Sequence, residues 1–114
     1  MHELSVAHSL LELIEEHSKA NDASSVLSVK IQVGRLSGIE PELLESAFDV
    51  VKRDSVAHDA KLIMDVVDVR IRCNHCQKES VLEDFVFFCP ECGATDVRVL
   101  EGEGMFLQSL EMEK

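Results

Sequence analysis

The sequence predicts an α+β fold: a small three-stranded sheet with two helices on one face, plus an inserted zinc-ribbon module. Three observations carry this expectation. Apolar residues recur at helical spacing in two separate segments. Between and after them the period changes to two. Two close cysteine pairs then interrupt the strand-like part of the chain.

The first helical pattern covers residues 4–18. Leu4, Ala7, Leu10, Leu11 and Ile14 form an apolar stripe, widened by Leu13, with Ser5, Ser9, Glu12 and Glu16 on the opposite side. The run Asn21-Asp22-Ala23-Ser24-Ser25 breaks the helix. From Val26 onward Leu27, Val29, Ile31 and Val33 alternate with Ser28, Lys30 and Gln32, as in a strand with one buried face. Gly34 to Gly38 turn the chain, and Pro41 suits a first helical position, with Glu42 beside the positive end of the helix. Leu43, Leu44, Ala47, Phe48 and Val51 mark the second amphipathic helix.

A second strand is expected over 62–72, with the adjacent Val66-Val67 pair marking a bulge or bend. Val97 and Val99 continue the strand pattern after the cysteines, and Gly102-Glu103-Gly104 interrupts it before a last apolar run over 105–110. The expected organisation is one α+β unit made of residues 1–72 and 94–114, with residues 73–93 inserted between strands.

Cys73-Asn74-His75-Cys76 and Cys89-Pro90-Glu91-Cys92-Gly93 are two CxxC units separated by 12 residues. Two intervening residues allow a tight turn to aim both sulfurs at one ion. Proline inside the second unit and glycine after it supply knuckle-turn chemistry. Two facing knuckles offer a tetrahedral sulfur shell, which suits Zn(II) and leaves no open position for catalysis. His75 reads either as a surface turn residue or as a reserve ligand that replaces one thiolate. His8, His17 and His58 read as boundary or surface histidines, with His8 the one nearest to assisting a terminal metal.

Composition narrows the function. The 114 residues are 46% hydrophobic and 29% charged, enough for a core without disulfides, yet there are five Phe and no Tyr or Trp. The core must be aliphatic. A formal charge of −11 repels nucleic acid and anionic lipid. Between the two cysteine pairs and within the second, Lys78 stands against Glu79, Glu83, Asp84 and Glu91, so the ribbon lacks the basic and aromatic face of a nucleic-acid reader. No segment is long and apolar enough to span a bilayer, and no secretion signal precedes the first helix. Paired cysteines without an export signal point to a metal in a reducing, cytoplasmic setting. No Ser/His/Asp set, phosphate loop or open metal site suggests an enzyme.

The chain begins Met1-His2-Glu3. A terminal amine, the His2 amide and the His2 imidazole make fused chelate rings that favour Ni(II) or Cu(II), with Glu3 as a further donor. This N-terminal motif, the following amphipathic helix and the late paired CxxC units resemble the HypA/HybF family of nickel metallochaperones. The resemblance spans essentially the whole chain, including Gly34-Arg35-Leu36-Ser37 and residues 107–112. It implies nickel on His2, with Glu3 and the Met1 amine nearby, and structural zinc on Cys73, Cys76, Cys89 and Cys92. It also implies delivery of Ni(II) to NiFe-hydrogenase, with a maturation GTPase, the hydrogenase large subunit or other nickel-enzyme assembly proteins as partners; in some organisms members of the family also supply urease, a point this sequence leaves open. The competing reading is a zinc-ribbon interaction module with no nickel function.

Overall fold

The apolar periods resolve into two helices and six strands in a computed structural model that describes residues 3–82 and 87–114. Helix α1 (Glu3–Ala20) presents Val6, Ala7, Leu10, Leu11 and Ile14 to the core. Leu4 and Leu13, expected in that stripe, are 50% and 37% exposed. Leu4 sits in the first turn, and Leu13 lies about 100° around the helix from Ile14, at the margin of the buried face. Strand β1 (Ser25–Gly34) buries Val26, Val29, Ile31 and Val33. Leu27, read as a buried partner of these, is instead 40% exposed, because a register shift between Val26 and Ser28 puts it out of phase.

A short 3-10 turn (Arg35–Ser37) leads to α2 (Pro41–Val51), with Pro41 opening the helix as expected. Leu44 and Phe48 are fully buried, whereas Leu43 is turned outward, about 100° from Leu44. Strand β2 (Lys61–Val67) follows and runs parallel to β1. Parallel neighbours require a crossover connection, and α2 is that connection. The last strand, β6 (Met105–Glu113), pairs antiparallel with the other side of β1, giving the order β2-β1-β6. The expected three-stranded sheet with its two helices is thus present, its core built from both helices, β1, Ala57 and Ala60.

The stretch expected as one strand over 62–72 is two. Asp68 separates β2 from β3 (Val69–Cys73), and the chain passes there into a second sheet. Strand β3 is central to that sheet, flanked by β4 (Glu79–Leu82) and β5 (Val97–Glu101), both antiparallel to it. Strands β3 and β5, read from sequence as part of the helix-bearing unit, therefore support the cysteine knuckles. Their small core is Val69, Ile71 and Leu82, with Leu36, Val97 and Val99 against it. The molecule is correspondingly elongated, 53 × 25 × 16 Å, with a radius of gyration of 17.3 Å. A single compact body of this length would have about 13 Å.

Three chain segments cross at the waist between the two lobes. A Cβ on Gly34 would lie 2.3 Å from the Gly102 carbonyl group, and one on Gly102 would lie 2.8 Å from the Asp68 carbonyl oxygen and Val69 Cα. Gly102 also adopts φ +98°, a backbone shape that side chains disfavour. The Gly34 amide donates to Gly104 and the Leu36 amide to Gly102, at 2.9 and 2.8 Å. Arg35 pairs with Asp68 across the same crossing, but both are more than half exposed, so the pair adds little stability. The Gly34-Arg35-Leu36-Ser37 segment is the joint: glycine permits the crossing, and Leu36 reaches the small core of the second lobe.

Candidate metal centre

Each cysteine pair is held by the same local backbone device. The Cys73 carbonyl accepts from the Gln77 amide at 3.0 Å, and the Cys73 amide donates to Lys78 at 2.9 Å. At the second pair the Cys89 carbonyl accepts from Gly93 and its amide donates to Ala94, both at 2.8 Å. The residue after the second cysteine takes a left-handed conformation in each, with φ +68° at Gln77 and +77° at Gly93. Glycine takes that shape without strain; Gln77 is held in it by side-chain bonds to Arg72 and to the Asn74 carbonyl. Asn74 then ties the two turns together through the main chain and side chain of Asp96.

These turns bring Cys73 to 3.6 Å from Cys92 and Cys76 to 3.6 Å from Cys89, sulfur to sulfur, and all four sulfurs lie within 4.8 Å of one another. Zinc–sulfur bonds of about 2.3 Å in a tetrahedron place sulfurs about 3.8 Å apart, so the constellation fits Zn(II). None of the four cysteines is in a disulfide. The amides of Cys76 and His75 donate to the Cys73 sulfur at 3.4 and 3.3 Å.

The electrostatics are those of a site made for a cation. Cys73 is drawn down to about 6 by the Cys76 amide, against the effect of burial and with help from the His75 amide and two neighbouring thiols. Cys92 is pushed up to about 12: the Ala94 amide favours its thiolate, but burial and three nearby sulfurs outweigh it. Cys76 is raised as well, the Lys78 amide opposing burial and the influence of Cys89 and Cys73. Without a cation the Cys73 thiolate forms readily, while burial and hydrogen bonds with neighbouring sulfurs hold Cys76 and Cys92 in the thiol form. A dication offsets those effects and displaces the remaining protons.

His75, in the first knuckle, is exposed, and its amide is committed to Cys73. Of the terminal motif, Met1 and His2 lie outside the described residues. Glu3 opens α1, and its carboxylate accepts the Glu40 amide hydrogen at 3.2 Å, at the start of α2. Sequence reasoning missed this neighbour, since nothing in local periodicity links residues 37 positions apart. His8 is exposed, and so is His17, although the helical wheel directs it toward the apolar half. His58 is exposed beside Asp59.

A small helix–sheet lobe joined to a closed four-thiolate lobe defines a metal-binding protein whose fixed metal is structural. The chain matches, over residues 1–112, the family model described as "Hydrogenase/urease nickel incorporation, metallochaperone, hypA". It is 46% identical over 113 residues to the hydrogenase maturation factor HypA of Aquifex aeolicus, covering 99% of this chain and 98% of that one. It is 45% identical over 114 residues to the HypA of Shewanella oneidensis, covering 100% and 97%. The solution structure of the Ni metallochaperone HypA from Helicobacter pylori superposes with a TM-score of 0.75 at 34% identity, covering 99% of this chain and 98% of that one. The protein belongs to the HypA family of nickel metallochaperones for hydrogenase maturation. Among the described residues, no helix is long and apolar enough to cross a membrane.

Proposed function

We propose that this protein binds Ni(II) through the Met1 amine, His2 and Glu3 and passes it to a NiFe-hydrogenase under assembly, while Cys73, Cys76, Cys89 and Cys92 hold structural zinc. The observation that carries this reading is the family match, whose span, residues 1–112, covers Met1-His2-Glu3 and both cysteine pairs. The chemistry supports it. An imidazole and a deprotonated amide favour Ni(II), and a terminal site can release its cargo, whereas four thiolates close around zinc and leave nothing to exchange. Glu3, the described residue of this set, is held against the start of α2.

The reading extends to a maturation GTPase and the hydrogenase large subunit or other nickel-enzyme assembly proteins as partners, with urease as a further recipient. It places the protein in the cytoplasm, as a carrier with no catalytic step of its own. The charge of −11 supports protein partners over nucleic acid or membrane. A zinc-ribbon module with no nickel role is disfavoured, because the family match runs well beyond the ribbon.

Calorimetry with nickel on the zinc-loaded protein tests this assignment. His2→Ala, and separately a short extension ahead of Met1, should each weaken nickel binding by at least about 10- to 100-fold. Zinc content should not change. Native-like nickel affinity in both variants would remove the terminal site and leave only the zinc role.

A further inference from the structure

Among the described residues the helix–sheet lobe ends laterally in β6, which pairs with β1 on one side only. The Glu113 carbonyl accepts the Ser24 amide at 2.7 Å and so faces β1. By strand alternation the main-chain groups of Met112 and Leu110 face away from the sheet. Such an edge is a template for another strand unless it is short, kinked, charged with lysine, broken by proline or covered. At nine residues β6 is long, it contains neither Pro nor Lys, and its one irregularity is the register shift at Gln108.

An open cavity of about 260 Å³ runs beside this edge, walled by His17 of α1, by Asn21 just after that helix, and by Leu107, Gln108, Ser109, Leu110 and Met112 of β6. The Leu107, Leu110 and Met112 side chains are only half-buried, so their apolar surface is incompletely covered. Glu111 and Glu113 are exposed on the strand and make no ion pair among the described residues.

We propose that the β6 edge is a docking site for an extended segment of a partner protein in which apolar and basic side chains alternate. The segment's backbone pairs with the outward groups of β6. Its apolar side chains enter the groove under α1, and its basic ones meet Glu111 and Glu113 on the open face. A second copy of this chain is the poorer occupant. Two molecules of charge −11 repel, and antiparallel self-pairing would gather the Glu111 and Glu113 carboxylates of both copies on one face. This surface requires no nickel, so it stands or falls separately from the terminal metal site.

The probe is a capped nine-residue peptide of alternating valine and lysine, titrated into the zinc-loaded, isotope-labelled full chain and followed by NMR and amide exchange. Saturable shifts are expected along β6 and at His17 and Asn21, with slowed exchange of the Leu110 and Met112 amides. The same peptide methylated at alternate backbone nitrogens, and a valine–glutamate peptide, should each bind on the order of tenfold more weakly, a difference of about 1.4 kcal/mol. No binding of the valine–lysine peptide, equal binding of the methylated one, or shifts scattered away from β6 would overturn the proposal. Slow exchange of the Leu110 and Met112 amides without peptide, accompanied by a doubling of mass, would assign the edge to a second copy instead.

Discussion

The two lobes solve the same folding problem with different means. The helix–sheet lobe closes thirteen buried described residues into one core, including Leu10, Ile14, Ile31, Leu44 and Phe48. The cysteine lobe spans residues 69–101, and among its described residues three form the buried apolar core. Chains below about 40 residues rarely bury enough apolar surface to repay their conformational entropy, and metals or disulfides replace the missing core. Four sulfurs within 4.8 Å of one another are that replacement. The lesson is a division of labour: one lobe is held by apolar burial, the other by coordination, and the waist lets each keep its own source of stability.

Removing the metal should produce the largest effect. Cys89→Ser leaves an incomplete sulfur shell around the ion, and structural zinc contributes about 10–16 kcal/mol of apparent binding energy in small zinc-dependent folds. Resonances of β3, β4 and β5 should collapse to unfolded positions in an NMR spectrum, while the helical circular dichroism of α1 and α2 is retained. Loss of both together would show that the lobes fold as one unit and break the comparison.

The reverse experiment is smaller in scale. Phe48, on α2, is fully buried in the shared core, and Phe48→Ala should cost the helix–sheet lobe about 3–5 kcal/mol by chemical denaturation. The zinc-loaded knuckles should keep their sulfur coordination in X-ray absorption under native conditions. A changed zinc shell would mean that coordination depends on the larger core.

The smallest of the three effects belongs to the joint. Gly34→Ala places a methyl group 2.3 Å from the Gly102 backbone, so one of the crossing segments must move. A destabilisation of about 1–3 kcal/mol is expected, the range for overpacking a close contact. Solution scattering should report a changed separation of the lobes, with both still folded. An unchanged profile and unchanged stability would mean that the crossing is looser than its contacts indicate.

Much of this molecule was legible in one dimension because its signals are local. Helical period, strand alternation and CxxC spacing all act over a few residues, so both helices, β1 and the four-thiolate site follow from short windows of sequence. The family resemblance needed only the terminal motif, the helix and the cysteine spacing. Where local rules met a margin, they misled: Leu4, Leu13 and Leu43 are apolar, yet their positions at helix ends and stripe edges leave them exposed. Leu27 shows the same limit in a strand, since a register shift is invisible to period counting.

The remaining features required the chain to be folded back on itself. Asp68 divides an apparently continuous strand because the chain must leave one sheet for another there, and the partners that decide this, β1 and β5, are remote in sequence. Gly34 is distinguished from other turn glycines only by Gly102 arriving against it. The contact of Glu3 with the Glu40 amide and the groove between α1 and β6 are likewise products of packing. The sequence by itself determined which residues could form helices, strands and a metal knuckle, since those choices are settled by neighbours within a turn or two. Only the tertiary structure decided which strands share a sheet, which glycines must stay glycine and which edge remains open, because those depend on backbone groups meeting across long stretches of chain.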